Sequence, residues 1–353
     1  MMTSIQRSTL WPGVPLALGS AVLFGAAAPF SKLLLGAMDP QLLAGLLYLG
    51  AGLGLALVHL RAVVGHTAQE APLRASDTPW LIAVIIFGGV LGPLLLMVGL
   101  AQTDAASGSL LLNLEGLATM GIAWIVFHEN VDRRLLSGAF AILIGATILS
   151  WEGRGISPDT GALLIAAACL MWGIDNNLTR KLSAADPVLI AMTKGIAAGL
   201  VNTACAMWRS VHFPKAELIA GAAVLGFFAI GVSLVMFVLA LRHLGTARTG
   251  AYFSLAPFIG ALIAVALGAP LTVQLALAAL LMGAGVWLHL SERHEHEHFH
   301  EAMAHEHRHV HDEHHQHSHD EPVTEPHSHW HEHAPMRHKH PHYPDLHHRH
   351  RHH

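Results

Sequence analysis

The chain has 353 residues, of which 53% are hydrophobic and only 12% charged, and its mean hydropathy is +0.46. Soluble domains carry about 25% charged residues, so a single water-surrounded domain is excluded. The formal charge of −4 and the lack of a basic stripe interleaved with aromatics give no footing for a nucleic-acid partner.

Composition changes abruptly along the chain. Residues 1–290 hold 14 Lys and Arg and 12 Asp and Glu, set mostly between long apolar runs, whereas residues 291–353 hold 24 of the 30 histidines. An apolar body is thus followed by a polar, His-rich tail. Cys169 and Cys205 both fall inside apolar runs and read as small buried hydrophobes rather than a disulfide or zinc pair.

A helix needs about 20 apolar residues to cross a bilayer. Ten segments meet or approach that length: 12–35, 40–60, 79–101, 106–127, 135–150, 160–181, 187–208, 216–241, 247–267 and 271–290. The fifth is short. The first is too long for a cleaved signal peptide and lacks a suitable small-residue site, so it is read as a spanning helix. With the N-terminus inside, the cytoplasmic side before the tail collects nine Lys and Arg against four outside, which places both termini in the cytoplasm of a plasma (inner) membrane. Small residues four apart, Gly50/Gly54, Gly88/Gly92 and Gly195/Gly199, predict close helix packing.

The chain also compares with itself at an offset near 148. Phe24-Gly25 answers Trp172-Gly173, Ser31-Lys32 answers Thr179-Arg180, and Asp39-Pro40 answers Asp186-Pro187. Further on, Asn113-Leu114-Glu115-Gly116 falls opposite Ser254-Leu255-Ala256-Pro257. An odd number of helices per copy inserts the second copy upside down, an arrangement used by transporters with a substrate site between the halves. The expected fold class is therefore all-α: ten transmembrane helices as two inverted five-helix repeats, 1–152 and 153–290, then a disordered tail over 291–353.

This layout resembles the EamA family of the drug/metabolite transporter superfamily. Residues 21–32, Ala-Val-Leu-Phe-Gly-Ala-Ala-Ala-Pro-Phe-Ser-Lys, are similar to that family's first helix, and Cys169 to Asn176 to its sixth. Val126-Phe127-His128-Glu129 before Arg134–Leu136 resembles its acidic turn after the fourth helix. The resemblance covers residues 12–290 and implies secondary transport of small metabolites, often outward, without covalent chemistry and without a cofactor required for transport.

Ionisable groups near mid-helix cost at least about 2.5–3.5 kcal/mol, so each needs a reason. Three stand out: Glu115 in the fourth helix, Asp175 in the sixth and Lys194 in the seventh. Asp175 and Lys194 lie nearly equidistant from the turn around Ser183–Asp186, which sets them at matching depth in an antiparallel hairpin. They read either as a structural ion pair or as groups that bind substrate charge or a proton. Glu115 has no sequence-level partner, which favours a substrate or coupling role. Asn176 and Asn177, beside Asp175, and Asn113, near Glu115, supply donors and acceptors for a polar ligand. Lys32, near the outer end of the first helix, is expected to snorkel to the interface. Trp172, Trp124 and Phe24 line a cavity or pack within the bundle.

The tail repeats histidine at alternate positions: His294, His296, His298 and His300; His305, His307, His309 and His311; His314, His315, His317 and His319; His327, His329, His331 and His333. Neutral imidazoles on one side of an extended chain bind Zn, Ni, Co or Cu. His-Glu-x-x-His patterns within these runs arise from composition and do not indicate a protease, which requires that motif on a stable helix. With neutral histidines the tail carries −6, and full protonation brings it to +18, so it is also a candidate pH-responsive segment.

Two functions follow. One is export of a small polar metabolite by proton exchange, with the tail as an accessory. The other is export of a transition metal collected by the tail. A membrane-anchored metal store or sensor leaves the repeat unexplained, and no nucleophile–base pair suggests an enzyme. The expected partners are the lipid bilayer, a small-molecule substrate and transition-metal ions at the tail, with a homodimer left open.

Overall fold

A computed structural model of the chain describes residues 12–65, 73–127, 133–150, 159–179, 181–182, 185–290 and, in the tail, 295–300, 303–309, 327–333 and 336–341. Nine helices among the described residues are long and apolar enough to cross a bilayer. They are α1 (Gly13–Leu35), α2 (Pro40–Val64), α3 (Ala75–Gln102), α4 (Ala105–Val126), α6 (Thr160–Thr179), α7 (Pro187–Trp208), α8 (Ala216–Ala240), α9 (Thr249–Ala266) and α10 (Val273–Leu290). Between α4 and α6 lies α5 (Arg133–Leu149), a shorter helix of 17 residues, where the sequence also gave its shortest segment.

Helix starts follow from their capping residues. Asp39 accepts hydrogen bonds from the Gln41 and Leu42 amides (2.9 and 3.2 Å) ahead of Pro40. Asp186 accepts from the Val188 amide at 2.8 Å ahead of Pro187. An acceptor at the cap satisfies free amides, and proline at the first position loses nothing because its amide would be unpaired there. Asp104 and Asp159 cap α4 and α6 in the same way.

Two kinds of irregularity interrupt the spans, each occurring twice. A π-helical segment runs over Ile85–Leu91 in α3 and over Phe227–Val232 in α8. A break falls at 112–113 in α4, between helices ending at Leu111 and starting at Leu114, and at 254–255 in α9, between helices ending at Phe253 and starting at Ala256. Helical hydrogen bonding continues from α8 into α9 over Ser233–Phe253, where the sequence led us to expect a loop. The chain still reverses there, since Gly13 of α1 meets Leu244 and Ser20 bonds Ser233, while Phe24 meets Phe253 and Gly25 meets Ala256.

The principal contacts recur when helix n is exchanged with helix n+5. α1 packs on α8 and α9, as α6 packs on α3 and α4; α2 packs on α7, and α5 on α10. Glycine makes the closest of these contacts. Gly45 and Gly199 face each other across α2 and α7, as do Gly52 and Gly195, with backbone against backbone. The Gly195/Gly199 spacing noted in the sequence thus forms a helix seam, the use of small residues expected where no hydrophobic force joins helices in lipid. Large apolar side chains such as Leu60, Ile125, Phe140 and Leu262 remain exposed, as hydrocarbon-facing residues do in a bundle that hydrocarbon surrounds.

In the tail the described stretches are β1 (Glu295–His300), β2 (Met303–His309), β3 (His327–His333) and β4 (Met336–Pro341). β1 pairs antiparallel with β4, and β2 with β3. A two-residue repeat suits extended backbone, and pairing gives that backbone its hydrogen-bond partners.

Candidate functional site

The mid-membrane charges gather where α3, α4, α6 and α7 meet. Asp175 of α6 and Lys194 of α7 form a direct ion pair, as equal distance from their turn predicts, and both are largely buried. Thr179 Oγ1 donates to the other Asp175 oxygen at 3.4 Å. Room for the pair comes from α3: at Gly88 any Cβ would collide with the Asp175 carboxylate, and at Gly89 with Ala198, close to Lys194.

The π-helical segment of α3 explains three further side chains. Its wider turn leaves carbonyls without their usual α-helical partners, and such segments are frequent at functional sites. The Gly88 carbonyl accepts from Tyr48 Oη of α2 and from Trp172 Nε1 of α6, both at 3.0 Å. The Val90 carbonyl accepts from Asn202 Nδ2 of α7 at 3.3 Å. Donors from three helices therefore hold one irregular stretch of α3, and Trp172 is a packing residue with its indole N–H engaged.

Glu115 lies on the other side of α6. The break at 112–113 makes it a first-turn residue of the half-helix that starts at Leu114, where the helix dipole favours a carboxylate. The sequence suggested no partner for it; the structure supplies Asn176, whose Nδ2 donates to Glu115 Oε1 at 3.0 Å and to Thr119 Oγ1 at 3.1 Å. Thr119 Oγ1 donates in turn to the Glu115 carbonyl at 2.9 Å. Glu115 is half-buried and Asn176 exposed. Asn177 faces the helix contact, donating to the Thr119 and Gly173 carbonyls at 3.0 and 2.8 Å. Asn113 is buried in the break, where its Nδ2 donates to the Leu110 carbonyl at 2.8 Å. It steadies the end of the first half-helix rather than joining the Glu115 group.

Other expectations resolve locally. Lys32 Nζ donates to the Leu100 and Ala101 carbonyls at 2.6 and 3.2 Å, capping the end of α3. Phe24 stacks against Phe253 with ring centres 5.2 Å apart, and Phe253 against Phe237 at 4.8 Å. Trp124 is exposed. Cys169 and Cys205 are free thiols. A polar cleft of about 240 Å³ opens among the ends of α3, α4, α6 and α10. Its two carboxylates, Asp104 and Asp159, are occupied as helix caps, and Thr103 Oγ1 also donates to Asp159 at 3.1 Å.

Among the described residues no group of three or more His, Cys, Asp or Glu gathers as a metal site. Of the tail ligands named from the sequence, His294, His311, His314, His315, His317 and His319 lie outside the described residues, as do His128 and Glu129 of the acidic turn. The strand register sets His305 opposite His331, His307 opposite His329 and His309 opposite His327. It also sets His296 and His298 opposite His340 and His338, two histidines the sequence did not single out.

The EamA-like transporter family model matches the chain twice, over residues 11–151 and 159–291. The chain belongs to the EamA-like transporter family. An uncharacterized transporter of Methanothermobacter thermautotrophicus (strain Delta H) is 27% identical over 286 residues, covering 76% of this chain and 83% of its own length. The uncharacterized transporter YyaM of Bacillus subtilis (strain 168) is 23% identical over 291 residues, covering 76% and 90%. One crystal structure shares the fold with a TM-score of 0.59 at 19% identity, covering 78% of this chain and 95% of its own. The EamA-like chain is thus an integral, multi-pass membrane protein, and family and relatives' names alike point to transport. The EamA-like matches include the whole Glu115–Asp175–Lys194 cluster and leave 292–353 outside.

The sequence missed Tyr48, Thr119, Asn202 and Gly88 as parts of this cluster. The available signals were Gly88-Gly89 within an apolar run and Tyr48 as one of only three tyrosines.

Proposed function

We propose that this chain is a secondary transporter that exports a small polar metabolite in exchange for protons. Its ten helices form two inverted repeats, with both termini in the cytoplasm of the plasma membrane. Glu115 and Asp175 are the coupling or substrate groups, Lys194, Asn176 and Asn177 shape the site, and transport needs no bound cofactor. The observation that carries the reading is Glu115, a mid-membrane carboxylate whose side chain, among the described residues, is hydrogen-bonded only to a neutral amide. Its cost in the bilayer makes sense where an ion or substrate neutralises it during each cycle. The repeat is supported by the double family match and by the exchangeable packing scheme; the outward direction rests on the family resemblance. The tail, on this reading, binds Zn, Ni, Co or Cu and adjusts transport from the cytoplasmic side.

The second reading, transition-metal export, is favoured by the 24 tail histidines. It lacks a ligand set along the bundle among the described residues. One experiment separates the two: cells expressing the intact chain, the chain ending at Leu290, or the Glu115→Gln/Asp175→Asn double variant are challenged with Zn, Ni, Co and Cu. Cell metal is read by elemental mass spectrometry and spent medium by untargeted metabolite profiling. Export of a metabolite that disappears in the double variant, with cell metal unchanged apart from tail binding, supports the first reading. A metal lowered by the intact chain and not by the double variant, at matched expression, replaces it with the second.

A further inference from the structure

Donors and acceptors around Glu115 are unequally used. Lys194 is engaged by Asp175, Tyr48 and Trp172 by the Gly88 carbonyl, and Asn202 Nδ2 by the Val90 carbonyl. Asn177 Nδ2 is held by two backbone carbonyls and the Thr119 hydroxyl by a third. Asn176 Nδ2 is shared between Glu115 Oε1 and Thr119 Oγ1. Besides the buried Asn202 Oδ1, left over beside the carboxylate are Glu115 Oε2 and Asn176 Oδ1, neither of which meets a donor among the described residues.

Charge is unequal in the same sense. Asp175 and Lys194 neutralise each other in contact, so an ionised Glu115 leaves the cluster one negative charge in excess. On the same helix a Cβ at Gly116 or at Gly121 would meet nothing within 4 Å. Since a carboxylate facing lipid is disfavoured, Glu115 is read as facing a polar pathway.

We infer that the transported metabolite presents a positively charged hydrogen-bond donor, an ammonium or guanidinium group, to Glu115 Oε2 and Asn176 Oδ1, and that it shares Glu115 with the exchanged proton. This deepens the transporter reading and rests on it. A substrate carboxylate would meet only acceptors here. A Zn or Ni ion would find one carboxylate and one amide oxygen, too few and too hard for such a metal. A guanidinium or ammonium supplies donors to both free oxygens, and charge-assisted bonds of this kind are the stronger class. Because proton and substrate cation neutralise the same carboxylate in turn, the exchange of a monocation for one proton is electroneutral.

The test uses the full chain in lipid nanodiscs and four kinds of probe: methylguanidinium and benzylguanidinium, benzylammonium, phenylacetate, and Zn alone. Binding is followed by calorimetry in two buffers of different ionisation enthalpy, which reports protons released. The expected result is that only guanidinium or ammonium probes bind through Glu115, releasing protons. Their affinity should fall as pH falls, approaching about tenfold per pH unit once most of the carboxylate is protonated. Glu115→Gln should weaken them about 10- to 100-fold, the loss expected for removing a charged hydrogen-bond partner. Glu115→Asp should retain proton-linked binding, and melting curves of both variants establish that they fold. Cation binding undiminished in Glu115→Gln overturns the inference, as does Glu115-dependent binding of phenylacetate or Zn, or failure of every guanidinium and ammonium probe to bind. A parallel proteoliposome flux assay keeps the two readings apart. Glu115-dependent flux of phenylacetate removes the cation assignment and leaves the transporter; cation binding without any flux removes the transporter instead.

Discussion

The Asp175 carboxylate occupies the space that a side chain at Gly88 would need. One backbone position in α3 thereby fixes where the buried ion pair sits, and the same residue offers its carbonyl to Tyr48 and Trp172. The irregular segment of α3 and the charges of α6 and α7 form a single construction.

Gly88→Ala should therefore be damaging beyond the size of one methyl group. Overpacking a fitted interior costs about 1–3 kcal/mol, and here the displaced group is one half of an ion pair. Gly116→Ala, whose Cβ meets nothing within 4 Å, should leave the melting temperature equal or higher, since alanine favours helix over glycine by about 0.5–1 kcal/mol. Thermal melting of the two variants in the same detergent checks the contrast.

Breaking the ion pair from one side should cost more than removing it. Asp175→Asn or Lys194→Met alone leaves a buried charge unmatched, a loss of about 3–5 kcal/mol, whereas the double change should recover much of it. If the pair serves packing alone, the double variant recovers transport as well as melting temperature. Recovered stability without transport assigns the pair to the transport cycle.

Tyr48→Phe and Trp172→Phe each remove one of two donors to the Gly88 carbonyl, so each alone should cost about 0.5–1.5 kcal/mol. Together they strip a buried carbonyl of both side-chain donors and should cost more than the sum, because an unsatisfied buried group bears its full desolvation penalty of about 1–3 kcal/mol. A double-mutant cycle on melting temperature measures the excess, and strict additivity would refute the shared-acceptor description.

The tail should bind metal in a pH-dependent way with a definite sign. Imidazole ligates only when neutral, so Zn bound per chain should be high at pH 7.5 and fall as pH drops through about 6.5 toward 5.5. Equilibrium dialysis of the full chain and of the chain ending at Leu290 provides the check. Zn retained by the shorter chain at equal stoichiometry would move the sites into the bundle.

Sequence carried the bundle well because bilayer thickness fixes helix length and because Asp-Pro starts are local signals, as at Asp39 and Asp186. It also carried the Asp175–Lys194 pair, since two helices joined by a short turn translate residue counts directly into depth. The Glu115–Asn176 bond was not legible, because 61 residues separate its partners and nothing local relates α4 to α6. The π-helical segments were hidden for a different reason: Ile85–Leu91 is apolar throughout apart from its glycines, so a shift in helical period leaves no change of pattern to detect. The break at 112–113 left only Asn113 as a trace.

The glycine seam between α2 and α7 divides the molecule into positions closed and open to change. At Gly45, Gly52, Gly195 and Gly199 backbones touch, so nearly every amino-acid substitution there would be purged whatever the cargo. On α4, by contrast, a Cβ at Gly116 or Gly121 would meet nothing within 4 Å, and residues can enlarge there without disturbing the scaffold. Such a separation favours evolvability: a lineage can drift from one cargo to another along the α4 wall while inheriting the same frame intact.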